Sequence, residues 1–122
     1  MATSQVTLGF PSGASEFVET ALGATVLQVK PSSGTLYLIQ LDNTANGVIS
    51  YVKLWYLATG SVTLGTTAPD DVLAFPASAK NWAIFGGGWA FGTALAIACV
   101  TTGGTAGTTA PTSSAICTVV YT

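Results

Sequence analysis

The chain has 122 residues, a length that suits one domain. It carries three Lys, five acidic side chains, no Arg and no His, for a formal net charge of −2. So few cations cannot neutralise a run of phosphates, which excludes nucleic acid as an expected partner. The absence of His removes the commonest general base and metal ligand. A 49% hydrophobic composition at low net charge excludes intrinsic disorder. Polarity comes instead from 19 Thr and 10 Ser. Residues 81–122 form 42 consecutive residues without a charge. Small soluble domains usually keep a surface about 25–35% charged, so much of this surface is expected to meet another protein.

The first residues, MATSQVTLGF, lack the basic and apolar regions of a secretory signal, and none is expected. Residues 1–23 read as an N-terminal arm, with a turn at Phe10-Pro11-Ser12-Gly13. Within it, residues 16–19 (EFVE) fit one helical turn or an edge strand equally well. A single domain is expected over residues 24–122. Its first strand is residues 24–30 (ATVLQVK), closed by the turn PSSG. The next, residues 35–42 (TLYLIQLD), is apolar on both faces and suits a strand covered on both sides. Asn46-Gly47 then gives a strong hairpin signal before residues 48–57 (VISYVKLWYL).

Side chains of a strand alternate between faces. That puts Tyr51, Lys53 and Trp55 on one face of this strand, and Lys53 argues that the face is outward. Trp55 beside Tyr51 is then a candidate protein contact, or an edge aromatic covered by the arm. Residues 58–69 form a turn-rich connection with a short strand expected at 61–64. Two further strands are expected at 71–76 and 80–85. Trp82 alternates with Ile84 and reads as core, with an interface anchor as the alternative.

Residues 82–100 are long and apolar enough to suggest a membrane span. Gly86-Gly87-Gly88 and Gly92-Thr93 break them into runs of strand length, and no basic cluster flanks them, so no membrane partner is expected. The three glycines read as a turn or a bulge, with room for another subunit's backbone. In the strand at 93–100, Leu95, Ile97 and Cys99 share one face. Ala94, Ala96 and Ala98 make the other, a flat surface open to a neighbour. Residues 101–114 (TTGGTAGTTAPTSS) are a loop, and residues 115–122 are the last strand. Seven or eight short strands with regular turns and no long helical pattern predict an all-β fold: an antiparallel, jelly-roll-like β-sandwich with an N-terminal arm.

Nothing in the sequence builds a catalytic centre. Asp70 and Asp71 are adjacent, so in an extended segment they point to opposite faces, and they read as a solvated loop. Asp42, Asn43 and Asn46 lack the ligand alternation of a calcium loop. The glycine triplet is not a phosphate-binding fingerprint. Cys99 and Cys117 lie in apolar runs and read as buried free thiols, with a structural disulfide as the alternative. No enzyme activity, metal or cofactor is expected.

Residues 51–107 resemble a recurrent type of small tailed-phage structural protein. The resemblance lies in YVKLWY at 51–56, GTTAP at 65–69, FPA at 75–77, FGGGWAF at 85–91 and LAIACV at 95–100, and in the VVYT end. Trp55 and Cys99 depart from the pattern, which carries smaller or more polar residues there. The resemblance implies a jelly-roll sandwich in a virion, made in the host cytoplasm and carried on the capsid surface. It implies capsid decoration (cement): a homotrimer bound to the major capsid protein, stabilising the shell against internal DNA pressure. The alternative is a tail- or head-fibre knob that binds host surface glycans. Tyr51, Trp55, Trp89, Phe10 and Phe17 are the candidate interface residues.

Overall fold

A computed structural model describes residues 10–122. Its strands are β1 (Ser15–Leu22), β2 (Leu27–Lys30), β3 (Gly34–Asp42), β4 (Ser50–Trp55), β5 (Asp71–Phe75), β6 (Lys80–Phe91), β7 (Leu95–Val100) and β8 (Ala115–Tyr121). One short 3-10 turn, Thr59–Ser61, is the only helical element among the described residues. Strands rich in Val, Ile, Leu and aromatic residues are cut at Gly, Pro, Asn and Ser, which favour turns over ladders.

The strands form two four-stranded sheets, antiparallel throughout. Sheet A has the order β1-β8-β3-β6, and sheet B has the order β2-β7-β4-β5. Successive strands change sheet at every step except β4 to β5. This is an eight-stranded jelly-roll sandwich, the expected fold class. The core lies between the sheets. Leu36, Ile39 and Leu41 of β3 and Val119 of β8 face Val52 and Leu54 of β4 and Leu95 and Ile97 of β7. Alternation along each strand sends these side chains inward and their neighbours outward.

The expected arm divides. Residues 1–9 lie outside the described residues, whereas Ser15–Leu22 is an edge strand of sheet A, paired with β8. Of the two forms open to EFVE, the strand is adopted, because β8 offers a free ladder. Asn46-Gly47 does not close a hairpin, since β3 and β4 belong to opposite sheets. The loop crosses the end of the sandwich and is tied internally. Asn43 Nδ2 donates to the carbonyls of Val48 and Pro76, both at 3.1 Å. Asn46 Nδ2 and Ser50 Oγ both donate to Asn43 Oδ1 at 2.9 Å, and Asn46 Oδ1 accepts the Ser113 N–H at 2.9 Å. Buried amides that bind three loops together replace the turn amides the sequence suggests.

The short strand expected at 61–64 is absent. Its place is taken by the Thr59–Ser61 turn, with Val62 and Leu64 packed inward. The glycine triplet makes a bulge within β6, which runs unbroken to Phe91. Pairing with β3 shifts from Leu38↔Ile84 to Leu36↔Trp89 across it. Gly88 has a φ of 84°, and a Cβ there would collide with Thr35 and Tyr37. That position requires glycine.

Candidate interaction surface

Each sheet has an outer face, and the two are built differently. On sheet B, Lys53 stands opposite Ala98 and Trp55 opposite Ala96. The small alanines leave room for the long side chains to lie over the sheet. The outward direction expected of Lys53 and Trp55 is correct, but the expected exposure is not. Trp55 and Lys53 are both 0% exposed. Val26, Leu57, Val62 and Leu64 cover the indole, and its Nε1 donates to the Thr67 carbonyl at 3.0 Å.

The Lys53 ammonium is enclosed by the loop at 101–114. Nζ donates to the carbonyls of Gly104 at 2.7 Å, Gly107 at 2.8 Å and Thr105 at 3.3 Å. Three carbonyls stand in for the water that a lysine normally keeps. Desolvation holds the Lys53 pKa below its ordinary value. Gly107 is packed so closely against the backbone of Thr102 that a Cβ would overlap it. Tyr51 is half-buried, with its ring against Gly103. The alanine surface is therefore closed by the chain's own side chains and loops.

The outer face of sheet A has no such cover among the described residues. Three cross-strand rows define it. One runs Val18, Thr118, Gln40, Trp82; the next runs Glu16, Val120, Leu38, Ile84; the third holds Ile116, Asp42 and Lys80. Trp82 is 53% exposed, Val18 52% and Ile84 48%. The core assignment of Trp82 is thus corrected. It does share a face with Ile84, but that face is the outer one, and β6 sends Ala83 and Phe85 inward instead. The charged groups Glu16, Asp42 and Lys80 sit at the margins of the face. The Asp42 carboxyl is held below its ordinary pKa by bonds from the Thr44 hydroxyl and N–H.

The remaining candidates are scattered. Phe10 is exposed, 6.4 Å from the Tyr37 ring. Trp89 is partly exposed beside the bulge, its ring 4.4 Å from that of Phe85. Phe17 points inward and packs against the core. The structure therefore does not gather Tyr51, Trp55, Trp89, Phe10 and Phe17 into one surface. Trp82, the exposed aromatic of this face, stands on its edge strand β6, and alternation with Ile84 alone does not tell core from outer face. The outward signal was available one strand away, in the Gln40 that pairs with it.

Groups with chemical potential are occupied structurally. Asp70 Oδ2 accepts the Tyr56 N–H at 2.7 Å and Asp71 Oδ2 accepts the Tyr56 hydroxyl at 3.0 Å, so this pair clamps β4 to the start of β5 rather than lying free in solvent. Burial, with the bond to Asp71, pushes the Tyr56 hydroxyl pKa up. Cys99 and Cys117 are free and buried, on opposite sheets. Burial pushes their thiols up to about 11 and about 12, so both stay protonated at neutral pH. No group of three His, Cys, Asp or Glu side chains is placed for a metal among the described residues. No helix among them is long and apolar enough to cross a membrane. No protein-family model, no curated protein and no solved structure matches the chain.

Proposed function

We propose that the protein is a non-enzymatic phage capsid decoration (cement) protein, which packs on a shell of major capsid protein and stabilises it against the pressure of packaged DNA. The observation that carries this reading is the outer face of sheet A, which no described residue covers and on which Val18, Trp82, Ile84 and Ile116 stand exposed, on a sandwich whose other outer face the chain closes itself. Such a face gains about 25 cal/mol for each Å² of apolar surface withdrawn from water. Across a shell, many modest contacts act together.

A second apolar feature supports attachment to the shell. Val48 and Ile49 are exposed at one end of the sandwich. Asn43 holds the Val48 carbonyl, so the pair is presented rigidly and loses little entropy on docking. A mechanical role asks nothing of the protonated thiols or of the clamped aspartates. The phage setting comes from the sequence resemblance at residues 51–107.

Cryo-electron microscopy of intact particles tests the reading. Copies spread over the icosahedral shell are expected, and particles lacking the protein should open at lower temperature. Copies confined to the tail would replace this reading with the glycan-binding knob, for which the exposed Trp82 and Trp89 would serve as stacking platforms.

A further inference from the structure

Asn46 is the only one of the chain's three asparagines that is followed by glycine. That pair is chemically labile. The glycine's backbone nitrogen, having lost its proton to hydroxide, attacks the asparagine Cγ. The Cγ–Nδ2 bond breaks, the departing nitrogen takes a proton from water and leaves as ammonia, and a succinimide ring remains. Water then opens the ring at either carbonyl. One opening gives aspartate; the other gives isoaspartate, with the chain rerouted through Cβ. Glycine favours ring closure because no side chain crowds its nitrogen.

The fold holds the reacting carboxamide out of that path. Asn46 is 1% exposed, although Gly47 beside it stands in solvent. Asn46 Nδ2 donates to Asn43 Oδ1 and Asn46 Oδ1 accepts the Ser113 N–H, both at 2.9 Å. These bonds turn the carboxamide toward Asn43 and the loop before β8. The backbone is fixed as well: the Asn46 N–H donates to the Asn43 carbonyl at 3.1 Å, and the Asn46 carbonyl accepts the Ser78 N–H at 2.9 Å. Cγ swings onto the Gly47 nitrogen only after these bonds let go. Deamidation therefore proceeds from the opened loop, at a rate set by the opened fraction.

The product does not fit back. Aspartate at this position has no N–H for Asn43 Oδ1 and sets oxygen against oxygen, and burying its charge costs more than burying the amide. Isoaspartate adds a backbone carbon within the turn. Either change disturbs Asn43, whose Nδ2 holds the Val48 carbonyl. We propose that Asn46 is a deamidation site which the end-loop network keeps latent, and whose reaction in the opened loop permanently loosens the segment that presents Val48 and Ile49. The latch belongs to the free chain and goes beyond any role on a shell.

Peptide mass mapping of the full chain, incubated without capsids at mildly alkaline pH, tests this with aspartate and isoaspartate separated at residue 46. The folded chain should deamidate there at least about a hundredfold more slowly than the chain in urea. Asn43→Ala, its fold checked by circular dichroism, should deamidate about tenfold faster than the unaltered folded chain. Gly47→Ala should slow the reaction in urea and leave the fold unchanged, because Gly47 has no positive φ and a Cβ there meets nothing within 4 Å. In the deamidated chain, amide exchange at residues 43–50 should accelerate about tenfold. The urea comparison and Gly47→Ala need no weakened fold. Equal rates in the folded and the urea-treated chain, a rate in urea indifferent to Gly47→Ala, a folded Asn43→Ala no faster than the unaltered chain, or a deamidated loop that exchanges as slowly as before would overturn the proposal.

Discussion

The two outer faces of the sandwich carry similar side chains to opposite ends. Sheet B presents a lysine and a tryptophan, Lys53 and Trp55, and the chain folds its own loops over them. Sheet A presents a lysine and a tryptophan too, Lys80 and Trp82, and no described residue covers them. The difference lies in the connections. The turn-rich segment between β4 and β5 and the Gly/Thr loop between β7 and β8 both fold over sheet B. The shortage of charge therefore has two origins. One of the three lysines is spent inside, holding a loop, and the outer face of sheet A carries its few charges at the margins.

That contrast can be broken at graded cost. Trp55→Ala should have the largest effect, destabilising the fold by about 4 kcal/mol in urea unfolding, because it empties a closed pocket and orphans the Thr67 carbonyl. Lys53→Met should follow at about 3 kcal/mol, since it leaves buried carbonyls without a donor; amide exchange at residues 101–109 should accelerate with it. Asn43→Ala should cost about 2 kcal/mol by removing the hub of the end-loop network.

The pH dependence sharpens the picture of the core. The folded thiols titrate at about 11 and about 12 against an ordinary 9.0. Between pH 9 and these values the unfolded chain has lost protons that the folded chain retains, so stability falls as pH rises. The raised Tyr56 adds to this loss. Lys53, lowered by desolvation, works the other way, because the unfolded chain holds its proton longer. Urea midpoints from pH 8 to 11 should fall for the unaltered protein and fall less for a Cys99→Ala/Cys117→Ala variant. The smallest stability effect is expected at Trp82→Ser, within about 0.5 kcal/mol, because the side chain stands half in solvent on an open face.

Most strands were legible in the sequence because alternation and turn residues act locally, but the one expected at 61–64 does not form and residues 16–19 fitted a helical turn as well as the strand they adopt. At Gly86–Gly88 the sequence left a turn or a bulge open and ended the strand at residue 85, whereas the bulge forms and β6 runs on to Phe91. What was not legible depended on long-range placement. Asn46-Gly47 is a good hairpin turn, but the sheet change between β3 and β4 recruits its amides to a buried network. Lys53 marks its face as outward, yet outward from a sheet is not the same as exposed when a loop 51 residues later supplies carbonyls. Trp82 and Trp55 are hard to rank by pattern alone. Which face receives the loops is fixed by topology, and periodicity carries no record of it.

Hydroxyl-radical footprinting read at each tryptophan tests the central claim most directly, on the dilute chain and on the same chain assembled. The account predicts that Trp55 resists oxidation in both states, while Trp82 is oxidised in the dilute chain and protected on assembly. Trp82 labelled equally in both states, or Trp55 labelled in the dilute chain, would contradict it.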